Sequence, residues 1–324
     1  MEKKILEVKG LKTYFYTEDG IAAAVDGVDF EVAKKETLGI VGESGCGKSV
    51  TALSIMGLLE SPPAQIAAGE IIFKGEDLLK KSDKERRNIR GNEISMIFQE
   101  PMTSLNPVLS VGNQIGEVLR IHQRLKKQEA ADKTIELLDL VGIPLPERRI
   151  KEFPHQLSGG IRQRVMIAIA LACNPSLIIA DEPTTALDVT IQAQILELMK
   201  DLKEKLNTAI MLITHDLGLI AEVAQNVMVM YAGQIVEYAD VDRLFEQTMH
   251  PYTIGLLESI PGVDLEIDRL DVIKGLVPNL YDLPQGCRFH PRCKDARTVC
   301  KEKEPKLYDL KGHKVRCFKY SGTW

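Results

Sequence analysis

Short apolar runs alternate with amphipathic stretches along the first two-thirds of the chain. ETLGIV (residues 36–41), SLIIA (176–180) and AIMLI (209–213) are bounded by charged or turn-forming residues. Apolar runs of this length predict strands that are buried on both faces. The segments VTALSIMGLLE (50–60) and DKTIELLDLVGI (132–143) have the spacing of amphipathic helices instead. The pattern predicts an α/β fold with a parallel sheet.

A glycine-rich loop follows the first apolar run. The segment Gly42-Glu-Ser-Gly-Cys-Gly-Lys48-Ser49 has the G-x-x-x-x-G-K-[ST] spacing of a phosphate-binding loop between a strand and a helix. Its glycines let backbone amides face the phosphates, while Lys48 reaches the β- and γ-phosphates and Ser49 binds Mg²⁺. The predicted nucleotide-binding residues are Gly42, Ser44, Gly45, Cys46, Gly47, Lys48, Ser49 and Val50.

Polar side chains follow three other apolar runs, where an open α/β sheet places its ligands. Asp181 and Glu182 end SLIIADE; we expect Asp181 to hold Mg²⁺ through water and Glu182 to activate the attacking water as general base. Gln99 closes EISMIFQ and is predicted to contact Mg²⁺ or that water. His215 ends AIMLITH and is predicted to contact the γ-phosphate.

The segment Leu157-Ser158-Gly159-Gly160 offers a second set of backbone amides ahead of a predicted helix. Two phosphate-binding segments more than a hundred residues apart indicate that two chains complete each other's sites. The ordered set of glycine loop, Gln99, LSGG, Asp-Glu, Asp188 and His215 resembles the ATP-binding cassette ATPases over residues 1 to about 262. This resemblance implies that the Ser158, Gly159 and Gly160 amides bind the γ-phosphate held by another cassette, and that Asp188 lies at the dimer seam.

The same resemblance implies the remaining architecture. We expect a P-loop core of the RecA type, an antiparallel β subdomain and a helical subdomain at about 101–165, all within a nucleotide-binding domain of residues 1–262. The family takes an aromatic side chain from the first strand to stack on adenine. LKTYFYTEDG offers Tyr14, Phe15 and Tyr16, and the spacing from Leu11 favours Phe15.

Three further details are similar to the peptide- and nickel-importer ATPases: Ile161 after the LSGG segment, QEPMTSLNPVLSVGNQI from Gln99, and HPYTIGLLESIP at 250–261. The similarity implies an ATP-hydrolysing importer subunit that couples a head-to-tail cassette dimer to uptake of di- or oligopeptides. Its partners would be a second, homologous ATPase subunit, two transmembrane permeases and an extracellular or periplasmic peptide-binding protein. Nickel cargo, and a soluble cassette ATPase acting on nucleic acid or translation, are the alternatives.

Charge and hydropathy narrow these alternatives. The formal net charge of -5 argues against nucleic-acid binding, which normally needs a basic surface. No apolar run follows the opening MEKK, and the longest internal one, VMIAIALAC (165–173), is far shorter than the roughly 20 residues of a spanning helix. We therefore expect a peripheral protein on the cytoplasmic face, attached to the membrane through the permeases alone.

Four of the six cysteines crowd the C-terminal segment. Cys287, Cys293, Cys300 and Cys317 are separated by 5, 6 and 16 residues. In a reducing compartment such a group favours metal binding over disulfides. Zinc sites mostly use closer cysteine pairs, so the spacing favours a [4Fe–4S] cluster, with zinc as the alternative and His290 and His313 as alternative ligands. We therefore predict a small cysteine-rich metal-binding domain over residues 263–324.

Overall fold

The computed structural model describes residues 3–100, 104–185, 188–259, 273–322 and 324. Within them the strands are β1 (Lys4–Thr17), β2 (Gly20–Ala33), β3 (Thr37–Val41), β4 (Ala64–Phe73), β5 (Glu76–Asp77), β6 (Ile94–Ile97), β7 (Leu177–Asp181), β8 (Ala209–Ile213), β9 (Asn226–Tyr231), β10 (Gln234–Asp240), β11 (Tyr308–Leu310) and β12 (His313–Val315).

Both segments with amphipathic spacing contain helices, although the helix bounds differ from the pattern by several residues. They are α1 (Lys48–Met56), α2 (Asp83–Ile89), α3 (Val111–Gln123), α4 (Lys127–Leu140), α5 (Pro146–Arg149), α6 (Gly159–Leu171), α7 (Val189–Leu206), α8 (Leu217–Val223), α9 (Val241–Glu246), α10 (Pro251–Glu258) and α11 (Thr298–Glu302). In the part of the chain that the structure describes, none of these helices is long and apolar enough to cross a membrane.

The chain divides into two units, here called the first and the second unit. The first unit consists mainly of Leu78–Ile213, and the second of Leu6–Glu31, Thr37–Asp77 and Thr214–Trp324. The predicted boundary at residues 262 and 263 lies outside the described residues, so the division into a cassette domain and a cysteine-rich domain stays a prediction.

The first unit contains a parallel sheet covered by helices. Strand β7 pairs with β6 on one side and β8 on the other, with Leu177 opposite Ile94 and Ala209. All residues of β7 and β8 are buried, as the apolar runs predicted. Helix α6 contains most of the longest apolar run and packs against β6 and α4. Helices α3 to α5 lie within the region predicted as helical, of which residues 101–103 are not described.

The second unit contains an antiparallel sheet and a mixed sheet. The antiparallel sheet has the order β2-β1-β4-β5. In the mixed sheet β3 runs parallel to β9, and β9, β10, β12 and β11 follow in antiparallel pairs. The C-terminal segment therefore extends this sheet, since β12 pairs with β10 in the register Glu237 to Val315. Every residue of β3 is buried, which confirms the strand predicted for ETLGIV.

Two element ends differ from the sequence predictions. Helix α1 ends at Met56 because Gly57 adopts a left-handed conformation with φ 62°, whereas the pattern continued to residue 60. Strand β6 ends at Ile97, so Gln99 lies in the following loop and not in the strand.

Candidate functional site

The glycine loop of the second unit is shaped by close backbone contacts. A Cβ atom on Gly42 would lie 2.3 Å from the carbonyl oxygen of Met230, and one on Gly47 would lie 2.3 Å from that of Ala24. Gly47, with φ 105°, also has a conformation that other residues rarely adopt. Only glycine fits at either position, and α1 begins directly after Gly47.

Lys48 is buried inside the curve of this loop. Its Nζ donates to the carbonyl oxygens of Gly42 at 2.7 Å and Glu43 at 3.1 Å. The Cys46 side chain is also buried, and this burial raises the pKa of its thiol. Ser44 and Gly45 are exposed at the outer turn, whereas Ser49 and Val50 are half-buried in the first turn of α1. The loop thus presents amides and one ammonium at a helix N-terminus, which suits phosphate binding.

The three aromatic candidates for adenine stacking lie on β1 of the same unit. The Tyr14 hydroxyl donates to Asp26 at 2.8 Å, which orients that ring toward β2. Phe15 is half-buried opposite Ala64 of β4, and Tyr16 is 45% exposed. Phe15 thus remains the predicted stacking residue, since Tyr14 is already held by Asp26.

The two predicted carboxylates of the first unit lie at the C-terminal end of β7, as the sequence predicts. Asp181 is the buried last residue of β7, and Glu182 follows it with φ 47°. Residues other than glycine rarely adopt this backbone conformation, and those that do are often found at functional sites. The Glu182 carboxylate accepts hydrogen bonds from Gln99 Nε2 at 2.9 Å and Thr185 Oγ1 at 2.8 Å. The structure therefore brings the predicted base and the predicted glutamine into direct contact.

The LSGG segment occupies the start of α6. Leu157 is buried, while Ser158 and Gly159 are exposed at the N-terminus of the helix. A Cβ atom on Gly160 would lie 3.0 Å from the Ile191 side chain, so a larger residue would press on α7. The arrangement leaves two glycines at the positive end of a helix dipole.

Asp188 immediately precedes α7, and His215 lies two residues after the end of β8. Asp188 caps α7, because its Oδ1 accepts from the Ile191 amide at 2.9 Å. His215 is exposed directly after Thr214 and belongs to the second unit. Each predicted residue thus lies at the surface at an element end, and its role in a dimer or at a γ-phosphate stays a prediction.

The four C-terminal cysteines lie near one another. The Cys287 amide donates to the carbonyl oxygen of Cys300 at 2.8 Å. Burial, together with the nearby Cys300, Cys317 and Cys293, raises the pKa of the Cys287 thiol to about 12. All of them are free thiols. Within the described ranges, however, no group of three or more His, Cys, Asp or Glu side chains is placed to hold a metal ion.

The two histidines proposed as alternative ligands differ in their surroundings. His290 stays beside the cysteines, with Nδ1 3.0 Å from the carbonyl oxygen of Cys287. His313 is fully buried on β12 and its Nε2 donates to Glu237 at 2.8 Å, so its role as an alternative metal ligand stays a prediction. A histidine close to the cysteines in sequence therefore has a buried hydrogen-bonded position on β12.

Two arginines that the sequence did not single out join the C-terminal segment to the glycine loop and to β2 of the second unit. Arg292, next to Cys293, forms a two-pronged ion pair with Glu43 of the glycine loop, at 2.6 and 2.9 Å. Arg288, next to Cys287, pairs with Asp26 and donates to the carbonyl oxygen of Ala232 at 2.6 Å. No local pattern marks these pairs, since the partners of each are more than two hundred residues apart.

Comparison with known proteins gives two family matches. A model described as "ABC transporter" matches residues 25–185, and one described as "Oligopeptide/dipeptide transporter, C-terminal region" matches residues 236–300. The chain is 59% identical over 317 residues to the oligopeptide transport ATP-binding protein AppD of Bacillus subtilis (strain 168), covering 98% of this chain and 97% of that protein. It is 51% identical over 317 residues to the dipeptide transport ATP-binding protein DppD of the same strain, covering 98% and 95%.

Solved structures support the same fold. A dimeric structure of the ATP-binding cassette MJ0796, described as a post-hydrolysis state bound to ADP and Pi, aligns with a TM-score of 0.65 at 30% sequence identity. The alignment covers 73% of this chain and 99% of that one. The expected α/β cassette fold is therefore confirmed.

Proposed function

Because this chain belongs to the ATP-binding proteins of the oligopeptide/dipeptide ABC transporters, we propose that it is the ATP-hydrolysing subunit of a peptide importer. The observation that carries the proposal is near full-length identity of 50% or more to proteins named for peptide transport, joined to an intact phosphate-binding loop. In this reading the chain performs no chemistry on its cargo. It supplies free energy by binding and hydrolysing ATP.

The proposed site uses residues from both halves of the cassette sequence. Lys48 and the loop amides bind the phosphates, and Phe15 stacks on the adenine. Ser49, Gln99 and Asp181 would hold Mg²⁺, which neutralises phosphate charge when bound. Glu182 takes a proton from the attacking water, and its hydrogen bonds from Gln99 and Thr185 orient the carboxylate for that transfer. His215 contacts the γ-phosphate.

The proposed working unit is a head-to-tail dimer of cassettes. The amides of Ser158, Gly159 and Gly160 at the start of α6 would bind the γ-phosphate held by the second ATPase subunit, with Asp188 at the seam. ATP binding closes the pair and hydrolysis opens it. Two permeases transmit this motion, and an extracellular or periplasmic binding protein delivers the peptide. The chain would lie at the cytoplasmic face of the membrane, held there by the permeases.

The gathered cysteines support a second part of the proposal. Cys287, Cys293, Cys300 and Cys317 would hold a [4Fe–4S] cluster, because four thiolates are the donor set that such clusters require. Zinc is the alternative, as four thiolates also suit that ion. The supporting observations are that all four are free thiols and that Cys287 and Cys300 are joined by a backbone hydrogen bond, although among the described residues no three such side chains are placed to hold a metal ion. In either case the group would fasten the C-terminal segment.

The transport proposal is tested by uptake in cells that lack the native subunit. Cells supplied with the wild-type chain and its permeases should accumulate labelled di- and oligopeptides, and cells supplied with Lys48→Ala should not. Lys200→Ala, a change at an exposed lysine of α7, serves as the control and should transport normally. Uptake of nickel in place of peptide, or peptide uptake by Lys48→Ala, would overturn the proposal.

The cluster proposal is tested by elemental analysis of protein purified without oxygen. About four irons and four sulfides per chain are expected. These should be lost in Cys300→Ser and kept in Cys173→Ser, which changes a cysteine far from the group in sequence. About one zinc per chain without sulfide would show the alternative, and neither metal would overturn both assignments.

A further inference from the structure

Arg292 is held in the second unit by hydrogen bonds from all three of its guanidinium nitrogens. Nη1 and Nη2 donate to the two carboxylate oxygens of Glu43, at 2.6 and 2.9 Å. Nη2 also donates to the carbonyl oxygen of Ile273 at 3.3 Å, and Nε donates to that of Lys274 at 3.2 Å. The guanidinium lies 5.8 Å from the centre of the Tyr231 ring, and the side chain is only 4% exposed. Such an arginine is fixed in position, and a lysine could not reproduce its two-pronged contact.

Glu43 is the second residue of the glycine loop, and it is held at three points. Its amide donates to the hydroxyl of Tyr252 at 2.8 Å, and its carbonyl oxygen accepts from Lys48 Nζ at 3.1 Å. The third point is the carboxylate bound by Arg292. Tyr252 is itself fully buried and packs on Tyr231 and Phe289, with ring centres 4.7 and 5.4 Å away. The loop therefore rests on the C-terminal segment.

An unpaired carboxylate in a phosphate-binding loop would repel ATP, because the nucleotide brings several negative charges to the loop amides. Partly buried charges are weakly screened by salt, and the Glu43 side chain is only 29% exposed. Arg292 neutralises this carboxylate and holds it at a fixed place. The same contact also fixes the backbone of Glu43, whose carbonyl oxygen, like that of Gly42, accepts a hydrogen bond from Lys48.

We propose that Arg292 is a positioning residue for ATP binding, which acts through Glu43 to neutralise and orient the phosphate-binding loop. Nucleotide affinity then depends on the docking of the C-terminal segment, since Arg292 belongs to that segment. The inference rests on the proposed role of the loop at Gly42–Ser49 in binding ATP.

The test is a titration of the full-length chain with Mg²⁺ and a fluorescent N-methylanthraniloyl derivative of ATP. Arg292→Ala should bind this nucleotide about tenfold more weakly than wild type, in the range of coupling seen between contacting charged residues. Glu43→Gln in the Arg292→Ala background should recover most of the loss, because it removes the unpaired carboxylate. Arg292→Lys should fall between Arg292→Ala and wild type.

Two further variants make the outcomes separable. Arg297→Ala is the matched control: its guanidinium lies 4.2 Å from the Trp324 ring in the same segment, and it should bind nucleotide as wild type does. Lys48→Ala should lose binding; if it does not, the proposed role of the loop fails. If Lys48→Ala loses binding while Arg292→Ala matches wild type, only the role of Arg292 fails. A double variant as weak as Arg292→Ala alone would also overturn the inference, because the loss would then come from packing.

Discussion

Glu237 fastens the C-terminal segment to the mixed sheet of the second unit. Its Oε1 accepts from the Met249 amide at 2.7 Å and from His313 Nε2 at 2.8 Å, and its Oε2 accepts from the His250 amide at 3.0 Å. Glu237 and His313 are both fully buried. One carboxylate on β10 therefore binds β12 and the start of α10 together.

Replacing Glu237 with Gln should destabilise this region strongly. The amide group keeps one acceptor oxygen, so at least one of the three donors faces an NH₂ group instead of an oxygen. A buried donor left without an acceptor costs about 1–3 kcal/mol, and the loss of charge weakens the bonds that remain. We expect Glu237→Gln to lower the free energy of unfolding by about 3 kcal/mol.

Trp324 provides the assay, because it is the one tryptophan of the sequence and lies in the C-terminal segment. Urea unfolding followed by its fluorescence reports on that region. Glu304→Gln is the matched control: Glu304 accepts from Gln234 at 2.6 Å but its side chain is 49% exposed, so the expected loss is below about 1 kcal/mol. Equal losses in the two variants would refute the role given to the buried carboxylate.

Three other predictions test the loop and its surroundings. Gly42→Ala should bind ATP at least about tenfold more weakly in a nucleotide titration, because its Cβ atom would lie 2.3 Å from the Met230 oxygen; unchanged affinity would contradict the loop geometry. Burial lowers the pKa of His250 to about 4, whereas its value in the unfolded chain is near 6.5. Between these two values the unfolded state binds more protons than the folded state. The free energy of unfolding should therefore fall by up to about 1.4 kcal/mol per pH unit as the pH is lowered from 6.5 to 4. His250→Asn, which keeps a helix-capping acceptor, should flatten that slope in urea titrations at each pH, and an unchanged slope would point to other groups. Iodoacetamide should label half-buried Cys173 before buried Cys46, as followed by mass spectrometry; the reverse order would show that the loop opens.

The parts of the fold that the sequence predicts well are those determined locally. Strands β3, β7 and β8 are runs of apolar residues, and such runs are buried whatever their partners are. The glycine loop is equally local, because its spacing alone specifies the turn. The placement of Gln99 and Glu182 at one edge of the sheet followed from one further step, since parallel strands end at the same edge, whereas their direct hydrogen bond is seen only in the structure.

The contacts that the sequence does not predict join residues distant in the chain. Glu43 and Arg292 are separated by 249 positions, and neither is unusual in its local segment. His313 is near the cysteines in the chain, yet its hydrogen-bond partner is Glu237 on another strand. Periodicity and spacing do not indicate which buried polar side chains will contact each other. These pairs are therefore seen only in the tertiary structure.

The hydrolytic role of Glu182 is best measured in the complete transporter. ATP turnover should be measured in vesicles that hold the chain, its permeases and the peptide-loaded binding protein, with Glu197→Gln on the exposed face of α7 as the control. We predict that Glu182→Gln lowers turnover by about 10²–10⁴-fold while ATP binding is kept, and that Glu197→Gln leaves turnover unchanged. Hydrolysis by Glu182→Gln at the wild-type rate would show that Glu182 is not the general base.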